Sequence, residues 1–297
     1  MLSAPVPPVR HLGVRANGLR FHVAEAGPEG GPLALLLHGF PEDWTGWRHQ
    51  IGQLADVGLR VWAPDQRGYG LSDKPEGVAA YDLDRLAADA AGLIEAAGAE
   101  RAVVVGHDWG AAVAWWLAAT RPDVVERLAV LNVPHPATMR RFLRTHPTQM
   151  ARSWYIGFFQ IPGLPEATFP RFAERTLEAS SAPGTFSESA LAHYRAAWRR
   201  PGAATAMLNW YRAAARRLAR AAPDLDAIAA PTLVLWGEDD VALDVRMAAA
   251  SLEHCADARL VTFPGVSHWV QHEAAEAVTR HLLEHAGVAG GARRQRV

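Results

Sequence analysis

The chain has 297 residues, of which 49% are hydrophobic, enough to fill a substantial core and to exclude a disordered polymer. Thirty basic against 31 acidic side chains leave a formal net charge of -1, so no global field draws nucleic acid or an anionic membrane, and small molecules are the expected partners. A single cysteine, Cys255, cannot close an internal disulfide, and the first 18 residues carry prolines and arginines where a secretory leader needs an apolar stretch, so the expected location is cytoplasmic.

In chain order, "HLGVRA" and "LRFHVAEA" flank Asn17-Gly18, a two-residue hairpin signal, so the sheet is expected to begin antiparallel. Four apolar runs follow: "LALLL" before His38, "LRVWAP" before Asp65, "AVVVG" before His107, and "LAVLNVP" ending at Pro134. Such runs read as strands buried on both faces, and their alternation with helical patterns predicts a mostly parallel twisted sheet flanked by helices. One helix is well marked: Asp82 caps it, Leu83, Leu86, Ala90, Leu93, Ile94 and Ala97 share a face, and Gly98 ends it. Residues 134–222, rich in Arg, Trp and Tyr, contain no further apolar strand and read as a helical cap inserted after the sixth strand. The core is then 1–133 with 223–297: "TLVLWG", a helix, "ARLVTFPG" and a last helix ending near Ala286. Residues 287–297 read as a disordered tail. The longest apolar runs, such as Ala111 to Ala119, fall well short of the roughly 20 residues a membrane span requires.

Ligands of open parallel sheets bind at the carboxyl ends of the strands. Four such ends here are polar or glycine-rich: His38-Gly39-Phe40-Pro41, Gly106-His107-Asp108-Trp109-Gly110, Gly237-Glu238-Asp239-Asp240 and Gly265-Val266-Ser267-His268. The second has the form of a strand-turn-helix elbow that lifts a nucleophile into a pocket, with an aspartate at its centre. Its glycines suit a turn where backbone and helix approach too closely for a Cβ, and the following helix points N–H groups at the site, which favours a charged carboxylate. A plain turn aspartate would not need the apolar strand before it and the small residues after it. The order nucleophile, acid, histidine points to Asp108 and His268, with Glu238, Asp239, Asp240 and Asp244 competing as the acid. The backbone N–H groups of Phe40 and Trp109 can form an oxyanion hole.

These pieces resemble an epoxide hydrolase of the α/β-hydrolase fold, from about residue 10 to 286, through "HGFPE", "PDQRGYGLSDKP", "GHDWG", "FFQIPGLPE", "LNWYR", "LWGEDD" and "GVSHW". The resemblance selects Asp240 as the acid and implies two cap tyrosines facing the nucleophile, Tyr155 in "SWYIGFFQ" and Tyr211 in "LNWYR". As bare residues, tyrosines in a helical segment are more often packing. It also implies a cis peptide bond before Pro41. The activity implied is hydrolysis of an apolar epoxide to a vicinal diol, with water as co-substrate and neither cofactor nor metal. Asp108 would form an alkyl ester, a tyrosine would protonate the leaving oxygen, and His268 with Asp240 would activate the hydrolytic water. His38, Pro41, Trp109, Trp154, Phe158, Phe159 and Trp269 are the candidate substrate-binding residues, and the chain is expected to be a monomer or homodimer.

The main rival is a haloalkane or haloacid dehalogenase, which resembles this chain in the aspartate elbow and in Trp109. A halide leaves without protonation, so that chemistry has no use for two acidic tyrosines. A carboxylate attacking an ordinary ester would give an anhydride that reverts. A non-catalytic receptor could keep the fold while shedding part of the catalytic set, which is present here in full. His268 and His272 share a helical spacing, but "HWVQH" lacks the glutamate of the usual zinc pattern. Arg140, Arg141 and Arg144, and Arg216, Arg217 and Arg220, read as solvated faces of the cap.

Overall fold

A computed structural model describes residues 8–218 and 227–287. Eight strands form one sheet: β1 (Arg10–Ala16), β2 (Leu19–Ala26), β3 (Leu33–Leu37), β4 (Arg60–Pro64), β5 (Ala102–His107), β6 (Val125–Leu131), β7 (Thr232–Gly237) and β8 (Ala258–Phe263). Their spatial order is β1-β2-β4-β3-β5-β6-β7-β8. β1 and β2 pair antiparallel through Ala16 and Leu19, with Asn17 and Gly18 both at positive φ as the two-residue turn requires. β2 pairs antiparallel with β4, and the remaining pairs are parallel.

Before β5 lie α1 (Ile51–Asp56) and α2 (Leu83–Ala96). The Asp82 side chain caps α2 by accepting from the Asp84 N–H, and Gly98 at φ 74° turns the chain away. α3 (Trp109–Thr120) follows β5 and is buried on nearly all sides because it lies against the sheet with α2 and the helix Pro136–Thr145 packed over it. Successive strand residues point to opposite faces: Leu33, Leu35 and Leu37 join one apolar cluster with α2 and α3, and Ala34 and Leu36 join another with α1 and the last helix, Ala275–Ala286. Both faces are therefore dry, the condition under which parallel strands read as continuous apolar runs.

Between β6 and β7 the described chain forms α4 (Pro136–Thr145), α5 (Pro147–Arg152), α6 (Trp154–Phe158), α7 (Leu164–Ser180), α8 (Glu188–Trp198) and α9 (Ala203–Leu218). α10 (Arg246–Ser251) precedes β8, and α11 (Val270–Glu273) and α12 (Ala275–Ala286) follow it. The expected strand to Pro134 is shorter and earlier, ending at Leu131, because Asn132 adopts φ 49° and leaves the extended region. The boundary expected at 222 and 223, Arg220 and all but Gly287 of the expected tail lie outside the described residues.

Candidate active site

Five strand ends meet at one edge of the sheet. Asp108 sits between β5 and α3 with φ 49° and ψ −123°, an unusual conformation for a residue with a side chain. The turn is this sharp because nothing larger than hydrogen fits at its flanks. A Cβ on Gly106 would lie 2.4 Å from the Gly110 carbonyl oxygen, and one on Gly110 would lie 2.0 Å from that of Leu37. Gly39 is equally constrained, since a Cβ there would come within 2.4 Å of the Asp108 Cβ.

After β3 the Phe40–Pro41 peptide is cis, and the Phe40 N–H donates to Asp108 Oδ1 at 2.7 Å. Trp109 opens α3, so its N–H has no carbonyl one turn earlier within the helix to bond. On the other side of the carboxylate, His268 Nε2 lies 3.5 Å from Asp108 Oδ2, and His268 Nδ1 donates to Asp240 Oδ2 at 2.6 Å. Asp240 is held in turn: its Oδ1 accepts from the Ala242 and Leu243 N–H groups, and its Oδ2 accepts from Asn132 Nδ2 at 2.8 Å. Of its acidic neighbours, Asp244 is occupied by Arg246.

The charges follow from these contacts. Burial alone would push the Asp108 carboxyl up, but His268, His107 and the Phe40 N–H outweigh it and hold it below the ordinary range. For His268 burial pulls down, while Asp240 and Asp108 on either side push it up to about 10, so the ring is an imidazolium at neutral pH. Tyr155 from α6 and Tyr211 from α9 stand with ring centroids 5.7 Å apart. Burial first, and the nearby carboxylates second, raise both phenols, which keeps them protonated.

Asp108, Trp109, Tyr155 and Tyr211 all line one cavity of about 410 Å³, whose other walls are mainly apolar. The remaining residues expected to bind substrate do not line it. His38 braces the loop after β3, accepting from the Gln66 N–H through Nε2 and bonding the Gly39 carbonyl through Nδ1. The Pro41 carbonyl accepts from the Trp198 indole, and the Trp269 indole donates to Ser180 Oγ. Phe158 and Phe159 pack against Phe172, and Trp154 is 64% exposed. Aromatic residues here were needed for packing, and the aromatic wall comes instead from Tyr81, Trp116 and Trp210. Two of the arginines expected to be solvated also reach the cavity: Arg140, and Arg217, which pairs with Asp82 and Asp84 and lies over the Trp116 ring.

Three parts of the site were missed by the sequence reading. Asn132 bridges two strand ends, its Oδ1 accepting from the Gly237 N–H while its Nδ2 reaches Asp240. An asparagine closing an apolar strand is a usable signal, because asparagine tolerates the left-handed conformation better than most residues. His107, neutral because burial and the His268 charge lower it to about 4, donates from Nε2 to the His268 carbonyl and accepts from Gln271 at Nδ1. Behind it, buried Glu42 accepts from Tyr194, Gln271 and His272, and its carboxyl is pushed up by burial. His272 is thus engaged with Glu42.

A sequence model of the alpha/beta hydrolase fold matches residues 32–275. The "AB hydrolase superfamily protein YfhM" of Bacillus subtilis is 45% identical over 276 residues, covering 92% of this chain and 96% of that one. "Epoxide hydrolase A" of Mycobacterium tuberculosis is 39% identical over 312 residues, covering 91% and 95%. Among solved structures, an epoxide hydrolase from metagenomes of hot environments superposes with a TM-score of 0.83 at 33% identity, covering 95% of this chain and 99% of that chain.

Proposed function

This chain belongs to the α/β-hydrolase fold family and to the epoxide hydrolases within it, and from that premise we propose that it hydrolyses apolar epoxides to vicinal diols through an alkyl ester on Asp108. The observation that carries the reading is the meeting of an ionised Asp108 and two protonated tyrosines across one apolar cavity. In this reading the helices between β6 and β7 form a cap that brings the acids over the nucleophile.

In the first step Asp108 Oδ2 attacks an epoxide carbon from behind, and the ring C–O bond breaks. The departing oxygen takes a proton from Tyr155 or Tyr211. The ester carbonyl is then Oδ1, already held by the Phe40 N–H, and the Trp109 N–H is the second candidate donor. Esterification removes one of the two carboxylate charges that keep His268 protonated. Its proton affinity therefore falls, and it passes its proton through solvent to the tyrosinate left by ring opening, so that the ring is neutral when a base is needed. In the second step His268 takes a proton from water, the oxygen attacks the Asp108 carboxyl carbon, and the ester C–O bond breaks to release the diol. The second proton of that water passes to the diol oxygen as the ester bond breaks, so the cycle ends as it began, with ionised Asp108, protonated His268 and protonated tyrosine. Asp240, locked by three N–H donors, holds His268 in one orientation.

The tyrosines favour this chemistry over halide displacement, which needs no proton. Removing both, in Tyr155→Phe/Tyr211→Phe, is expected to lower diol formation by about 10²- to 10⁴-fold while the thermal midpoint stays close to the parent. A double variant that makes diol at the parent rate would contradict the acid assignment.

A further inference from the structure

The cavity lined by Asp108 and the two tyrosines is also lined by Leu83 of α2, Trp116 of α3, Met139 and Leu143 of α4, and Ala214 and Leu218 of α9. The two tyrosines also pack against a cluster of aromatic rings that does not line the cavity. Phe159 and Phe169 are fully buried and Phe40 nearly so. Phe40 packs on Phe159 at 5.9 Å, on Phe169 at 5.7 Å and on Tyr211 at 5.0 Å between centroids. Phe159 packs in turn on Tyr155 at 5.7 Å and on Tyr211 at 4.9 Å. Phe40, Phe159 and Phe169 do not line this cavity, which offers one arm to a substrate, and their packed rings form a plug beside it.

We propose that this plug, with Phe159 at its centre, sets the substrate class: terminal epoxides bearing one long apolar substituent, with the unsubstituted ring carbon turned towards Phe159 and Phe169. The inference rests on the epoxide reading above and deepens it. The two ring carbons of an epoxide are directly bonded, so with the oxygen held by the tyrosines their substituents diverge to either side. One long substituent fits the arm. A second has to displace packed rings, and close-packed interiors yield little.

The test compares 1,2-epoxydecane with cis- and trans-5,6-epoxydecane, following diol by mass spectrometry, for the parent, Phe159→Ala and Phe169→Leu. The parent is expected to favour the terminal isomer in kcat/KM by at least about tenfold, the lower end of what a misfitted group costs in a shaped pocket. Phe159→Ala is expected to reduce that ratio by about tenfold, whereas general damage to the fold lowers both rates and leaves the ratio unmoved. Phe169→Leu reads the same ratio should Phe159→Ala fail to fold. Parent rates on the two classes within about twofold, or a ratio unchanged in the folded variants, would overturn the plug and leave epoxide hydrolysis standing. Diol from neither class would overturn the epoxide reading itself.

Discussion

At the scale of single residues the governing feature is a histidine between two carboxylates. His268 is buried, which disfavours its charge, yet Asp240 at 2.6 Å and Asp108 at 3.5 Å reverse the balance and push it up to about 10. The folded value thus lies above the ordinary 6.5 of an unfolded chain. A group raised on folding contributes stability that is fully present below its unfolded value and lost as pH climbs through the folded one. The parent's thermal midpoint is therefore expected to fall between pH 7 and pH 10 more steeply than that of His268→Gln, read by circular dichroism in matched buffers. Parallel slopes would mean that His268 does not carry this charge. Under the proposed mechanism the same balance would let one ring serve two steps, stabilising ionised Asp108 at rest and becoming a base once that charge is esterified.

At the scale of elements, the elbow depends on contacts that glycine alone permits. Gly18 and Gly110 separate the two uses of that residue. A Cβ at Gly18 meets nothing within 4 Å, so Gly18→Ala should cost only the left-handed backbone penalty, about 1 to 2 kcal/mol. At Gly110 a Cβ would collide with the Leu37 and His38 carbonyls, which cannot rotate away without moving the Phe40 N–H that holds Asp108. Gly110→Ala is expected to lose most turnover and to lower the thermal midpoint more than Gly18→Ala; equal effects would show that the turn has slack. The hairpin, the buried strands and α2 were legible because each is written in local chemistry: a turn pair, an unbroken apolar run, a cap and a terminal glycine. The end of β6 was not read, although Asn132 interrupts the apolar run there, because the bonds to Gly237 and Asp240 that hold Asn132 come from a distant part of the chain.

At the scale of the whole molecule, near-neutrality conceals a division. The segment from 134 to 218 carries 12 arginines against four glutamates, while the full chain has 30 basic and 31 acidic residues, so the rest holds the opposite excess. The pairing of Arg217 with Asp82 and Asp84 reflects it, while Trp198, Tyr194 and Trp210 join the parts as neutral donors to Pro41, Glu42 and Arg67. Asp108 and His268 were legible as candidates in their strand-end motifs, whereas Asp240, Tyr155 and Tyr211 were selected only by the family resemblance. The cavity wall was not legible. Whether Phe159 or Trp116 faces substrate depends on how α3, α6 and α9 are rotated about their axes, which only long-range packing decides.

The central claim is that Asp108 is alkylated, and the most direct measurement is the mass of His268→Gln after incubation with an apolar epoxide, with digestion to locate any adduct. The account predicts a stable adduct with the mass of the whole epoxide on the peptide that contains Asp108, because ring opening proceeds and ester hydrolysis has lost its base. No adduct from a folded variant whose parent makes diol from that epoxide, or an adduct carried by a different residue, would contradict it.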